Sequence, residues 1–343
     1  MELPETFCLI DTEYTAWEGS QETKWSKDGE EKEFESTKKT ILIKKEDGSL
    51  QENELTILKT LHGPVIKKTK DKVIAIRLVG LDRANMFLQW WRMLNSTNFD
   101  EFESALKMAQ IPFWNVMYAD KFGEIFYLFN GLVPKRKQDS WEYWNRIIPG
   151  GKSEDIWTDV HSYEDLPKLR NPESNWLQNA NDPPWTSTIP MVLDPNDYPG
   201  YMAPKVMHFR PQRSAKMLID DPSITFDELV SYKLSTKVEF ADRILDDLFL
   251  AIDDFGSANS KKAKKLLQKW DRKADVNSIG MLLFYHWSKK FSVDDNSTYT
   301  KPWNINDPVN TPDGLSDPQK AVKLLDESVI EIEEKFGKLD VKW

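Results

Sequence analysis

The sequence holds a single cysteine, Cys8, in 343 residues. An internal disulfide is therefore excluded, as is any metal site built on several thiolates, and Cys8 reads as a core residue. Histidine is scarce as well. His62, His161, His208 and His286 show neither HxxxH nor HxH spacing, so the zinc-hydrolase helix is absent. No run approaches the ~18 consecutive apolar residues of a membrane-crossing helix. The opening MELPETFCLI has neither a basic start nor a long apolar stretch, and it reads without a signal peptide. Positive charge is in deficit, with 46 Lys and Arg against 56 Asp and Glu, a net charge of -10 and a pI near 5.1. That field opposes nucleic acid and anionic lipid as partners. No internal repeat or low-complexity tract occurs. What remains is a globular composition, 40% hydrophobic and 30% charged with mean hydropathy -0.59, long enough for one large domain or two ordinary ones.

The first 80 or so residues are β-rich. Residues 1–40 mix weak strands with a charged connector from Glu22 to Lys39. Thr40 to Lys44 and Leu55 to Leu61 read as a hairpin turned at Asp47-Gly48. His62-Gly63-Pro64-Val65 punctuates the pattern before Val73 to Val79, another strand. Asn85 to Met93 is aromatic and apolar, and the polar run Asn95 to Asn98 caps a helix predicted over Phe99 to Met108. The stretch 111–136, IPFWNVMYADKFGEIFYLFNGLVPKR, then predicts a second hairpin. Phe113, Trp114, Val116 and Tyr118 form one strand, Lys121 to Glu124 the turn, and Ile125 to Phe129 the other strand. Asn115 sits inside the first strand, where asparagine has poor propensity and a buried amide needs partners. Either its amide bonds to neighbouring backbone, as polar side chains commonly do, or it serves chemistry.

Residues 140–204 are irregular and dense in Pro, Trp, Asn and Asp. Two strings stand out, WLQNANDPPW at 176–185 and YPGY at 198–201. Such a stretch is a functional loop or a tightly packed one, or else a rigid loop whose amides satisfy their own backbone. From Thr225 the character turns helical. Thr225 with Glu228 reads as a capping box, and apolar recurrence predicts helices over 239–252, 261–270, 279–291 and 318–336. The lysines of Ser257 to Lys265 read as a solvated helix face. Composition thus divides the chain into a β-rich segment 1–139, an irregular segment 140–204 and a mainly helical segment 205–343.

Several motifs fall in one order: LHGPV at 61–65, Arg77 with Gly80 to Arg83, Asn115 with Tyr118-Ala119-Asp120, and Gly131 with Pro134-Lys135-Arg136. Asn171-Pro172 with Gln178 to Trp185, His208 with Arg210 and Arg213, and Trp270-Asp271 follow. Together they resemble the penicillin-amidase family of amino-terminal-nucleophile (Ntn) hydrolases, on the side of its cephalosporin (glutaryl) and aculeacin-type acylases. The resemblance runs from about residue 5 to the end. It implies an α+β fold, with antiparallel strands forming part of an αββα Ntn-hydrolase sandwich and a helical domain following.

In such enzymes a precursor cleaves itself and frees a serine whose own α-amino group is the general base. The serine attacks an amide, an acyl-enzyme forms, and water releases the acid. A backbone N–H and an asparagine side chain hold the oxyanion. By this resemblance Asn115 matches the oxyanion asparagine, Arg136 matches the arginine that supports the nucleophile's surroundings, and His62 borders the acyl pocket. The implied substrate is a small-molecule acyl amide, with a fatty, glutaryl or aromatic acid on an antibiotic, lactone or lipopeptide amine. The implied location of the parent is periplasmic or secreted. No cofactor is implied, though some such acylases carry a structural calcium.

The family's nucleophile lies well ahead of the first residue here. Gly19-Ser20 and Gly48-Ser49 have the form of a processing site, but the latter belongs to a turn and the former lies far from the family's position. The expectation is an internal fragment of the large (β) subunit, inactive alone. Its partners would then be the small subunit and both ends of the large subunit, with no nucleic acid and no membrane span. A rival is a non-catalytic binding protein with an acylase-derived fold, using a Trp-rich surface. Of fourteen tryptophans, Trp141, Trp144, Trp157, Trp176 and Trp185 fall in the loop-rich region, where they either stack on ligands or anchor the core. A glycoside hydrolase needs two carboxylates at a set separation, for which the sequence gives no support.

Overall fold

The computed structural model describes residues 7–16, 23–68 and 72–343. Two compact units emerge, one spanning Met1–Asn171 with Leu193–Pro204 and the other Pro172–Val192 with Lys205–Trp343.

In the first unit, β1 (Phe7–Ala16), β2 (Thr23–Lys27), β3 (Glu30–Glu33), β4 (Glu35–Lys44), β5 (Leu50–Thr60), β6 (Gly63–Lys68) and β7 (Lys72–Leu78) form one sheet in the order β3-β2-β1-β7-β6-β5-β4. Neighbours on this path run antiparallel, whereas the short β10 (Ile147–Pro149) joins β1 in parallel. Cys8 lies on β1 opposite Arg77, but its burial falls outside the described residues, as does Gly19-Ser20 altogether. The hairpin turned at Asp47-Gly48 is present. Gly48 takes φ 83°, Asp47 accepts from the Ser49 N–H at 2.9 Å, and β4 pairs β5 from Lys44↔Leu50 to Glu35↔Lys59. Every residue of β4 is exposed.

The HGPV stretch differs from expectation. Only Leu61 and His62 form the turn, and Gly63 already opens β6. The reason is steric. Gly63 has φ 133°, and a Cβ there would meet the Ile76 carbonyl oxygen at 2.0 Å, so only glycine lets the chain turn straight back into the sheet.

Two helices follow, α1 (Met86–Leu94) and α2 (Phe99–Leu106), and then the predicted hairpin of β8 (Phe113–Ala119) and β9 (Ile125–Gly131). Asn98 caps α2 by accepting from the Glu101 N–H at 3.0 Å. Phe99 packs edge-on against Phe126 and Tyr118. After α3 (Trp141–Trp144) and β10, the strand β11 (Lys168–Arg170) pairs with the other edge of β9. This makes β9 the central strand of a three-stranded sheet, and Phe126 to Gly131 are buried without a break. α1 inverts the usual amphipathic arrangement. Gln89 is fully buried, its Oε1 accepting from the N–H groups of Gln110 and Ile111 at 2.6 and 3.0 Å, while Phe87, Trp91 and Leu94 are exposed.

The second unit is helical: α4 (Phe209–Asp220), α5 (Phe226–Lys233), α6 (Glu239–Phe255), α7 (Ala258–Leu267), α8 (Met281–Lys290) and α9 (Pro318–Phe336). Helix begins earlier than the Thr225 boundary read from the sequence. Pro211 lies in the first turn of α4, where its missing N–H costs nothing because that donor has no intrahelical acceptor. Thr225 and Glu228 form the predicted reciprocal cap of α5. The core gathers Ile244, Leu245, Leu248, Leu325, Val329 and Ile332 around an aromatic stack. Trp287 lies parallel to Phe240 and Phe291, and its Nε1–H donates to the Ala321 carbonyl at 3.0 Å.

Candidate active site

Asn115 occupies β8 opposite Phe129 and is half-buried. Its Oδ1 accepts from the Tyr127 hydroxyl at 2.6 Å, so its partner is a phenol on the neighbouring strand and not backbone. Beside it, Trp114 has φ 123°, a conformation unusual for a bulky residue. The Trp114 ring is 53% exposed and lies 5.7 Å from that of Trp90.

His62 and Arg136 address a different part of the first unit. His62 is wholly buried, its Nε2 2.7 Å from the Gly150 carbonyl oxygen and its ring edge-on to Trp25. Burial holds its pKa below the ordinary value, which keeps the ring neutral and makes Nε2 the donor. Arg136 is also buried. Its guanidinium lies 4.9 Å from the Trp144 ring centre and 5.9 Å from that of Tyr201. The two therefore contact the two ends of one segment, residues 144–150, whereas Asn115 belongs to the three-stranded sheet.

The tryptophans named for a ligand-stacking surface are divided between the two units and differ in burial. Trp144 and Trp185 are buried, and Trp141, Trp157 and Trp176 are half-buried. Trp157 lies under the Arg77 guanidinium, and Trp176 packs with Met207 and Val309.

The second unit holds an arrangement that sequence reasoning missed. In the QNAND loop Asn181 takes φ 67°, a left-handed conformation that non-glycine residues hold only where the surroundings enforce it. Here they do. The Asn181 N–H donates to Asn179 Oδ1 at 3.0 Å, and Asn179 Nδ2 donates to the Asp182 carbonyl at 3.1 Å. Asp182, 2% exposed, accepts on Oδ1 from the Ala180 N–H at 2.9 Å, and on Oδ2 from Gln178 Nε2 at 2.8 Å and the Thr186 hydroxyl at 2.6 Å. Burial raises the pKa of this carboxyl against those hydrogen bonds.

The Asn181 side chain itself is exposed, and Arg210 in the first turn of α4 donates from Nη2 to its Oδ1 at 3.1 Å. A guanidinium can only donate, so the amide orientation is fixed: oxygen toward Arg210, NH2 outward. Nδ2 makes no hydrogen bond among the described residues. A hydroxyl such as that of Tyr127 fixes Asn115 less firmly, because it both donates and accepts. Nearby, His208 caps α4 and its Nδ1 lies 3.5 Å from Asp294, whose pKa the contact lowers. Among the described residues no group of three or more His, Cys, Asp or Glu is placed to hold a metal ion. The left-handed turn is not readable from composition, but asparagines ahead of Asp-Pro-Pro are residues that tolerate it.

Among solved structures the chain is similar to a thermostable penicillin G acylase from Alcaligenes faecalis. The TM-score is 0.65 at 15% identity, with 97% of this chain and 66% of that one covered. Helices and antiparallel sheets thus take the penicillin acylase form of the Ntn-hydrolase fold. Residues 10–343 match the family model of penicillin amidase, and the chain belongs to that family. It is 25% identical over 318 residues to the acyl-homoserine lactone acylase PvdQ of Pseudomonas putida, covering 83% of this chain and 40% of that protein. To the penicillin acylase 2 proenzyme of Pseudomonas sp. strain SE83 it is 22% identical over 231 residues, 66% of this chain and 28% of the relative. The chain spans less than half the length of these relatives.

Proposed function

We propose that these residues carry the oxyanion-stabilising part of an acylase that hydrolyses a linear non-peptide amide, and that Asn115 is the side-chain donor. The observation that supports this is the Tyr127 hydroxyl on Asn115 Oδ1, which engages the amide oxygen and leaves the NH2 of a strand residue to donate to a substrate oxygen. Donation to the amide oxygen also polarises the N–H bonds, strengthening them as donors. In the reaction a serine hydroxyl attacks the substrate carbonyl, the carbonyl electron pair moves onto oxygen, and Nδ2–H stabilises that charge. Collapse expels the amine, and water then releases the acid from the acyl-enzyme. The nucleophilic serine belongs, in this proposal, to acylase residues other than these 343, and the chain alone turns nothing over. The relatives named for acyl-homoserine lactones and penicillins favour an acylated lactone or antibiotic amine as substrate. An exported, periplasmic enzyme suits that chemistry. Arg136 and His62 have supporting roles through segment 144–150, Arg136 stiffening the surroundings of the nucleophile and His62 bordering the acyl side.

A second reading makes Asn181 the donor, and one observation favours it: the Arg210 guanidinium on its Oδ1 fixes the orientation of an exposed amide. Replacement separates the two. In the acylase that includes these residues, Asn115→Ala lowers kcat roughly 10²- to 10³-fold with KM little changed, the cost of one oxyanion donor. Asn181→Ala costs less than about tenfold. Wild-type turnover in Asn115→Ala with a large loss in Asn181→Ala transfers the role to Asn181.

A further inference from the structure

We infer that Tyr201 is a positioning residue for Arg136: its ring supports the guanidinium, and His161 fixes that ring by bonding the Tyr201 hydroxyl. The inference rests on the reading of Arg136 as the arginine that stiffens the nucleophile's surroundings. Tyr201 closes the YPGY string at 198–201 and is 6% exposed. Its backbone is held on both sides. The Gly200 N–H donates to Asp139 Oδ1, just beyond Arg136 in the chain, and the Met202 N–H donates to the Pro199 carbonyl at 2.9 Å. The ring packs with Trp144 and Ile148, the Arg136 guanidinium lies 5.9 Å from its centre, and its hydroxyl lies 3.0 Å from His161 Nε2. His161 and Arg136 stand on the two sides of one short ladder. The His161 N–H donates to the Val133 carbonyl at 2.8 Å and the Lys135 N–H to the Asp159 carbonyl at 3.0 Å, around the Pro134–Val160 bridge. Tyr201 touches both sides of it.

Aromatic rings attract a buried guanidinium, but they direct it only where the rings themselves are fixed. Trp144 is fixed by its Nε1–H, which donates to the Gln138 carbonyl at 2.8 Å. Tyr201 has His161 for the same purpose. The His161 side chain is 11% exposed, and its Nδ1 lies 3.6 Å from Asp165 Oδ2. Burial, with Lys135 acting in the same sense, holds its pKa below the ordinary 6.5 against the pull of Asp165 and Asp159. The ring is therefore neutral at neutral pH. The Asp165 carboxylate favours the proton on Nδ1, so Nε2 accepts from the Tyr201 hydroxyl. Protonation turns Nε2 into a donor, reverses that bond and sets a second cation at the far end of the ring that supports Arg136. The charged groups facing His161 are Asp165, Asp159 and Lys135, with Arg136 across the phenol. Asp165, which accepts from the Ser162 N–H at 2.9 Å, and Asp159, paired with Lys135, are both held below the ordinary 3.8. Of the acids and the imidazole here, only His161 changes charge in mild acid.

The test follows the Arg136 Nε–H signal by 15N-resolved NMR on the purified chain, assigned through its loss in Arg136→Lys. Between about pH 7.5 and 5 the signal is expected to move with the midpoint of the His161 imidazole, below 6.5. His161→Gln, which keeps a partner for the hydroxyl but cannot titrate, is expected to abolish the movement. Tyr201→Phe weakens it while His161 still titrates. In the acylase that includes the chain, Tyr201→Leu lowers kcat for acyl-amide hydrolysis roughly 10- to 100-fold with KM within about twofold, and Tyr201→Phe, which keeps the ring, recovers most of that loss. An Arg136 signal that ignores pH in the wild type, or follows it unchanged in Tyr201→Phe, overturns the inference. So does wild-type kcat in Tyr201→Leu while Arg136→Lys is impaired. If Arg136→Lys is itself fully active, the reading of Arg136 falls, and the NMR arm still decides whether Tyr201 positions it. If Tyr201→Leu does not fold, Tyr201→Phe and His161→Gln carry the NMR readout.

Discussion

The β8–β9 hairpin holds Asn115 and the loop 174–188 holds Asn181, each with its amide oxygen occupied, and the two are held by different means. Asn115 is fixed by a regular ladder that exists for the sake of β9, whose side chains are buried on both faces. Its one side-chain partner is a phenol. Asn181 is fixed by nothing regular. A left-handed residue, an Asx turn, a buried carboxylate and a guanidinium converge on it. In the hairpin one polar residue stands in a regular ladder with its amide oxygen turned to a phenol, whereas in the loop many of the polar contacts tie the loop to itself, as Ser174 does with Thr188 and Gln178 with Thr186. An amide set on a regular strand is held more precisely than one on a loop.

The comparison can be broken most forcefully at the loop's anchor. Trp185, 2% exposed, follows the two prolines that stiffen the loop. Trp185→Ala is expected to cost about 3–5 kcal/mol of stability, read from urea unfolding. A change below about 1 kcal/mol would show that the loop holds itself without this anchor.

Next come the partners of the two amides. Tyr127→Phe removes the donor to Asn115 Oδ1 and is expected to lower kcat roughly tenfold, while the equivalent loss on the loop side, Arg210→Lys, leaves kcat within about twofold. Equal effects of the two would erase the distinction between the amides. Tyr127→Phe should lower stability by about 1 kcal/mol, the ordinary worth of one hydrogen bond.

A smaller effect comes from His62. Its folded-state pKa is held below the ordinary 6.5 by burial. The unfolded chain therefore takes up a proton first, so His62 adds to stability above that pH, and the contribution is lost as pH falls through the folded value. The slope is at most about 1.4 kcal/mol per pH unit. His62→Gln, which keeps a donor for the Gly150 carbonyl, is expected to flatten it, and an unchanged slope between pH 6.5 and 5 would assign the acid sensitivity to other groups. The exposed Lys38–Glu54 pair on the β4–β5 ribbon gives the smallest change: Lys38→Ala should shift stability by no more than about 0.5 kcal/mol.

The legibility of these features in the sequence follows the range of the forces that make them. Period-two and three-four patterns predicted the β4–β5 and β8–β9 hairpins, the Asn98 and Thr225 caps and the long helices, because each depends on neighbours a few residues away. α4 escaped because Pro211 reads as a helix breaker unless its place in the first turn is known. The turn at His62 looked longer than it is because the closeness of Ile76 to Gly63 is a tertiary fact. The resemblance gave the family and the ordered motifs, QNAND and Arg210 among them. Pattern could not say which asparagine the arginine meets, since Arg210 and Asn181 lie 29 residues apart and touch only in the fold. Asn115 drew attention by breaking a local rule, whereas Asn181 broke none that a linear string displays.

The central claim is best tested by a structure of the acylase that includes these residues, trapped as a tetrahedral phosphonate or boronate adduct of its nucleophile. The account predicts the adduct's oxyanion about 2.7–3.1 Å from Asn115 Nδ2, the reach of an oxyanion donor, with the Tyr127 hydroxyl still on Oδ1. An oxyanion held by Asn181, or by neither amide, would contradict it.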